Sequence, residues 1–155
     1  MVDVVDKATR SRMMSGIKGK NTKPEILVRK WLHAHGFRYR LHAKDIPGKP
    51  DIVFPRYHAL VVVHGCFWHG HGCRYFKKPG SNRAFWEQKI SANRARDIRD
   101  LAAQKDEGWR VLVVWECAVR RALREEEFNV AALVTKWLRS DSCGGVINES
   151  GALFE

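Results

Sequence analysis

Apolar residues recur at helical spacing through Leu27, Val28, Trp31 and Leu32. Just before them, Thr22-Lys23-Pro24-Glu25 has the arrangement of a capping box with proline in the first turn, so a helix begins here and Gly36 ends it. β-prone residues follow from Phe37 to Leu41 and from Asp51 to Phe54, and the turn chemistry of Ile46-Pro47-Gly48-Lys49-Pro50 between them predicts two strands. Ala59-Leu60-Val61-Val62-Val63 is a continuous apolar run, the pattern of a strand covered on both faces, and it closes at His64. From Gly65 to Gly80 no period survives, and the density of Gly, His, Cys and aromatic residues predicts a functional loop. A long polar helix is expected from Asn82 to Lys105, with Gly108 at its end, then a second central strand over Arg110 to Trp115 and a final helix over Phe128 to Leu138. The resulting order, α-β-β-β-α-β-α, predicts an α/β layered fold built on a mixed sheet.

A chain of 155 residues, 45% of them apolar, is long enough for one core and short for two. The expected organisation is a basic arm over residues 1–20, one domain over 21–140 and a poorly ordered tail over 141–155. Lys7, Arg10, Arg12, Lys18 and Lys20 surround the apolar pair Met13-Met14 in the arm. Lys and Arg outnumber Asp and Glu 28 to 17, a formal net charge of +11, which points to a polyanionic partner; a basic surface kept for solubility is the plainer alternative. Six Trp exceed the needs of one small core and favour nucleic acid, whose bases stack on exposed rings. No basic start followed by an apolar run and no stretch of membrane-spanning length occurs, so a cytoplasmic protein without membrane contact is expected. There the four cysteines would stay reduced, and clustered thiols suggest metal binding rather than disulfides.

Cys66, His71 and Cys73 form C-x4-H-x-C, and Cys117 lies just past the strand ending at Trp115. Three thiols and an imidazole suit tetrahedral Zn2+, and a closed site of this kind is structural, holding the loop to the sheet. Ordinary buried cysteines are the plainer reading, and His69 is an alternative ligand to His71. Catalytic candidates converge elsewhere: Asp51 opens a strand, His64 closes a neighbouring one, and His69 follows nearby. A carboxylate that binds a hard cation such as Mg2+, with imidazoles that titrate near neutrality, suits phosphodiester hydrolysis. Glu25 would orient the attacking water, although a capping role alone also explains it. An aspartate at a strand start is, likewise, often only a turn former.

On the long helix, Trp86, Lys89, Asn93, Arg96 and Asp100 recur at spacings that share one face. Such a face can meet base edges and phosphates, or can simply be solvated. Phe67-Trp68, in the Gly-rich loop, would wedge between bases, at a cost that is lower at a mismatch. Met13 or Met14 would supply an opposing wedge or cover the core.

With these motifs in view, the sequence resembles the very-short-patch (Vsr) mismatch repair endonucleases, relatives of the restriction-endonuclease-like (PD-(D/E)xK-type) nucleases. The resemblance rests on Asp6-Lys7-Ala8-Thr9-Arg10-Ser11, Pro47-Gly48-Lys49-Pro50-Asp51, the highly specific His64-Gly65-Cys66-Phe67-Trp68-His69, Gly108-Trp109-Arg110-Val111-Leu112 and Trp115-Glu116-Cys117. It implies a restriction-endonuclease-like mixed sheet flanked by helices with a zinc-bound loop, acting on double-stranded DNA with a T:G mismatch left by deamination of 5-methylcytosine. It also implies nicking 5′ to the thymine by magnesium-dependent hydrolysis and a functional link to a cytosine-5 DNA methyltransferase; a monomer is expected, because a T:G lesion in an otherwise paired site needs one strand cut. By the same resemblance Asp51, His64, His69 and Glu25 are catalytic, with Mg2+ on Asp51 and the backbone carbonyl of Val63. Cys66, His71, Cys73 and Cys117 hold Zn2+, and Met14, Phe67, Trp68, Trp86, Lys89 and Asn93 contact DNA. Two positions depart from the family pattern: Val63 stands where relatives carry Thr, which leaves a backbone ligand intact, and Gly70 and Gly72 thin a loop that can be richer in His. Two other readings remain beside the resemblance: a DNA-binding zinc module without catalysis, and a nuclease of structured RNA.

Overall fold

The computed structural model describes residues 20–155. Met13, Met14 and nearly all of the basic arm lie outside the described residues, and with them the wedge assigned to Met14.

The first helix of the described residues, α1 (Lys23–Ala34), starts as its sequence demands: the Thr22 side chain accepts from the Glu25 amide at 3.4 Å, and Pro24 occupies the first turn. The returning arm of the box differs from the usual one, because Glu25 Oε1 accepts from the Asn21 amide at 3.0 Å. Val28 and Leu32 are fully buried on the inner face. Phe37 then turns into the core and its amide bonds Leu32 O, so the strand expected from Phe37 shrinks to β1 (Arg40–Leu41).

Five further strands complete one sheet in the order β1-β2-β3-β4-β5-β6: β2 (Ile52–Phe54), β3 (Ala59–His64), β4 (Arg110–Trp115), β5 (Gly144–Asn148) and β6 (Gly151–Phe154). β1, β2 and β3 pair antiparallel, β3, β4 and β5 run parallel, and β6 returns antiparallel on β5. The mixed α/β architecture expected from the pattern is therefore present. Side chains alternate across it. Ile52, Phe54, Ala59, Val61, Leu112 and Val114 pack toward the main core. Val53, Leu60 and Val111 join Ala43, Ile46, Leu101 and Trp109 in a second, smaller cluster. The main core also takes in Val28 and Leu32 of α1, Ala118 and Val119 of α3 (Glu116–Arg124) and Val134 and Trp137 of α4 (Val130–Leu138). Leu101, in the smaller cluster, belongs to α2 (Arg83–Asp106). Burial on both faces is what the uninterrupted apolar run of β3 required.

The structure departs from the expected order in two places. That order has no element between Trp115 and Phe128, yet the chain is not irregular there: α3 carries an amphipathic pattern whose Cys117, Ala118 and Val119 are buried. The tail after Ser140 is not irregular either, since it supplies β5 and β6. Glycines hid the first of these strands, yet Gly145 is there for space: a Cβ would sit 3.1 Å from Leu112 Cδ1, Leu153 O and Phe154 Cδ1. The end of α4 is tied to the sheet by Arg110. Its guanidinium donates to the carbonyls of Trp137 at 2.7 Å, Ser142 at 2.8 Å, Ser140 at 2.9 Å and Leu138 at 3.1 Å, and lies 4.5 Å from the Trp137 ring centroid.

Candidate active site and metal centre

The antiparallel register of β2 on β3 pairs Ile52 with Val61, so the residue before β2 lies beside the end of β3. That residue is Asp51, whose Oδ2 accepts from the Val63 amide at 2.7 Å. Across from it comes Glu25, almost completely buried in the first turn of α1. Glu25, His42 and Asp51 bring ligand-type atoms within 4.8 Å of one another. Burial pushes the Asp51 carboxyl up to about 7; the Val63 N–H opposes this, and the neighbouring Glu25 charge adds to it. Two carboxylates this close and this desolvated suit a divalent cation, so Asp51 is a fitting magnesium ligand.

His64, at the end of β3, stacks face to face on His69, with centroids 3.9 Å apart. Burial, followed by the charge of His69, lowers the His64 pKa to about 4, so this ring is neutral near pH 7. His69 meets Asp97 of α2 through Nδ1, at 2.5 Å from Oδ2. A carboxylate accepting from Nδ1–H fixes the tautomer and leaves Nε2 as the nitrogen for chemistry. Asp51, Val63, His64, His69 and Asp97 all line one cleft of about 550 Å³, with Lys49, Arg94 and Arg96 at its walls.

The loop after β3 folds back on itself. His71 N bonds Cys66 O and Cys73 N bonds His71 O, each at 2.9 Å, and the His71 ring stacks on Trp115 at 4.2 Å. As a result Cys66, His71, Cys73 and Cys117 place their ligand atoms within 4.8 Å of one another, whereas His69 points its Nδ1 at Asp97. Three thiols and one imidazole at this spacing fit a tetrahedral Zn2+. Cys117 is pulled down to about 7, first by a hydrogen bond from Cys66, whose own thiol is pushed up in consequence. The amide of Glu149, in the turn between β5 and β6, donates to Cys117 Sγ at 3.3 Å. Part of the segment expected to be irregular thus supports the metal centre.

Phe67, Trp68 and Trp86 form one aromatic cluster, with centroid separations of 5.2, 5.4 and 5.7 Å. The helix face drawn from sequence splits. Lys89 and Arg96 are exposed, but Trp86, Ile90, Asn93, Asp97 and Gln104 form the inward stripe of α2. Asn93 is accordingly buried and its amide donates to Trp68 O at 2.9 Å, so in this structure it holds the aromatic loop. Gly70 serves the same packing: its φ is +64°, and a Cβ there would lie 2.7 Å from Ile90 Cγ2.

The family profile described as DNA mismatch endonuclease Vsr matches residues 2–75. The chain is 54% identical over 117 residues to the Type II nicking enzyme V.XorIIP of Xanthomonas oryzae pv. oryzae, covering 76% of this chain and 86% of that one. It is 45% identical over 130 residues to the Type II nicking enzyme V.NmeAIP of Neisseria meningitidis, covering 83% and 93%. Over 151 residues it is 37% identical to the DNA mismatch endonuclease Vsr of Escherichia coli, covering 97% of both chains. The chain belongs to the Vsr family.

Membership makes this chain a nuclease. No helix among the described residues is long and apolar enough to cross a membrane. Reading the Vsr motifs alone misses three residues of the site: Asp97, His42 and Arg29. Asp97 stands one turn after Asn93 on the inward stripe, a position visible only once the face of α2 is known. His42 is a lone histidine in a short connection, with no sequence signal. Arg29 could have been found, because Glu25 and Arg29 have the i,i+4 spacing of a helical ion pair, realised here at 3.1 Å.

Proposed function

We propose that this Vsr-family nuclease nicks one strand of duplex DNA 5′ to the thymine of a T:G mismatch left by deamination of 5-methylcytosine. The observation that carries the reading is the convergence of Asp51 with the stacked pair His64 and His69 in one cleft. That cleft is joined, through the loop 65–71, to the aromatic cluster of Phe67, Trp68 and Trp86. The mixed sheet that presents these residues is read as a restriction-endonuclease-like core, with the arm over 1–20, including Met14, as an added DNA contact. The enzyme would act as a monomer, since one cut serves one lesion, and would be linked in function to a cytosine-5 DNA methyltransferase.

Asp51 and the Val63 carbonyl would hold magnesium, which supplies charge stabilisation at the scissile phosphodiester. Glu25, beside Asp51, orients the attacking water. His69, with Nδ1 engaged by Asp97, transfers a proton through Nε2. His64 is neutral near pH 7, so it serves as an uncharged hydrogen-bonding wall to the cleft rather than as a cation for the phosphate. Zn2+ on Cys66, His71, Cys73 and Cys117 would hold His69 and the aromatic loop in register with β4. Phe67, Trp68 and Trp86 would wedge at the mispair, at a cost of a few kcal/mol that is lower where pairing is already weak. Lys89 would meet the backbone, and Asn93 would act by holding Trp68.

A panel of end-labelled duplexes with T:G, C:G, T:A or another mismatch at one position tests this reading, run with wild-type chain and Trp68→Ala. Nicking confined to T:G, with discrimination reduced in Trp68→Ala more than salt-sensitive non-specific binding, supports it. Tight binding to T:G without cleavage in any sequence context would point to a binding module.

A further inference from the structure

We propose that His42 is a positioning residue of the nicking reaction, fixing the Glu25 carboxylate in place beside Asp51. The proposal rests on the reading that Glu25 and Asp51 belong to the active site. Among the described residues, three donors converge on Glu25. The Asn21 amide reaches Oε1 at 3.0 Å, while Arg29 Nη1 at 3.1 Å and His42 Nε2 at 2.8 Å reach Oε2. Asn21 and Arg29 lie four residues to either side of Glu25 along the chain, at the start of α1 and within it. They can select a rotamer of Glu25, but they move with it and cannot set its distance from the sheet.

His42 is different. It follows β1, seventeen residues away from Glu25 in sequence, and its own amide bonds the carbonyl of Asp51 at 3.1 Å. One residue therefore touches both halves of the carboxylate pair: the backbone of Asp51 through its N–H and the side chain of Glu25 through its ring. Its backbone is in the left-handed region, with φ of +48°, which few non-glycine residues adopt, although histidine is among those enriched there. Residues held in such conformations cluster where geometry serves a site. The turn takes His42 out of the strand alternation, and the ring is half-buried against a Glu25 side chain that is 2% exposed. A water-orienting carboxylate must be placed to within a fraction of an ångström. In this chain the group that sets its position against Asp51 is an imidazole the family motifs do not include.

The test uses the full-length, zinc-loaded chain in magnesium and a T:G duplex, with kcat, KM and melting temperature read for each variant. His42→Asn suits the left-handed backbone, but its side chain is too short to reach Glu25; kcat is expected to fall about 10–100-fold with KM and melting unchanged. His42→Gln, whose amide nitrogen extends to about where Nε2 stood, should restore most of the rate. In a Glu25→Gln background, His42→Asn should cost nothing further. Should His42→Asn melt early, His42→Gly accepts the same backbone and reads the same loss of the ring. A wild-type rate in the short variants, a loss appearing in KM, or a full additional loss on top of Glu25→Gln would overturn the proposal. A wild-type chain that fails to nick T:G duplex is a separate result: it overturns the parent reading before any variant is compared, and this inference with it.

Discussion

Asp97 Oδ2 lies 2.5 Å from His69 Nδ1, joining the middle of the long helix to the loop that carries the candidate proton carrier. The pairing fixes both the tautomer and the tilt of a ring already stacked on His64. Asp97→Ala should leave duplex affinity intact and slow the nicking step by about 10²-fold or more, the lower end of what positioned proton transfer contributes. Single-turnover rates beside equilibrium binding check this; a loss confined to binding would place Asp97 on the DNA side instead.

Asp51 gives the stability a defined pH dependence. Burial raises its pKa from 3.8 to about 7, so between these values the folded chain keeps a proton that the unfolded chain has released. Stability falls as pH rises through this window, and above it the full penalty of a buried carboxylate is present. In magnesium-free buffer, Asp51→Asn should be more stable than wild type by at least about 1 kcal/mol near pH 8, with the difference shrinking toward pH 4. His64, lowered from 6.5 to about 4, has the opposite slope, but it is common to both chains and drops out of the comparison. Urea denaturation at both pH values measures this, and equal offsets would contradict it.

Zinc analysis of purified protein should find about one ion per chain. Cys117→Ser should lose it together with at least about 3 kcal/mol of stability, while Cys143→Ser, exposed and remote from the cluster, should keep it. Because His69 lies between Cys66 and His71 in sequence, the zinc-free variant should also nick poorly. A zinc-free chain of wild-type stability would remove the structural role.

Arg110→Met should unfold at lower urea by about 2–4 kcal/mol, since it leaves the carbonyls at the end of α4 without their charged donor. Nicking below the melting point should be unaffected, because Arg110 does not line the cleft and its guanidinium is spent on the carbonyls at the end of α4. A neutral effect on stability would mean that water replaces the guanidinium fully.

The parts of the fold legible in sequence were those with a strong period or a strong cap: Thr22 with Glu25 for α1, the apolar runs for β3 and β4, and Gly108 after α2. What escaped was set by tertiary contact. β5 reads as weak because it opens on Gly144 and Gly145, and Gly145 makes room for β4 and β6 rather than advertising strand propensity. At the site, the thiols, Asp51, His64 and His69 were legible because metal and acid–base chemistry restrict residue type. Asp97 was not, since one aspartate on a charged helix looks like any other until the inward face is known. Asn93 shows the converse: its spacing placed it with Lys89 and Arg96, and packing turned it inward to Trp68. Of the six Trp, Trp137 fills the core and Trp115 carries His71, so only part of that excess serves the aromatic cluster.

The most direct measurement is magnesium-dependent nicking of a strand-labelled T:G duplex, with the cut mapped to the nucleotide, by wild-type chain and Asp51→Ala. One break 5′ to the mispaired thymine is expected, with none in the matched duplex and with binding but no cleavage in Asp51→Ala. Cleavage that persists in Asp51→Ala, or that ignores the mismatch, would contradict both the assigned activity and the assigned site.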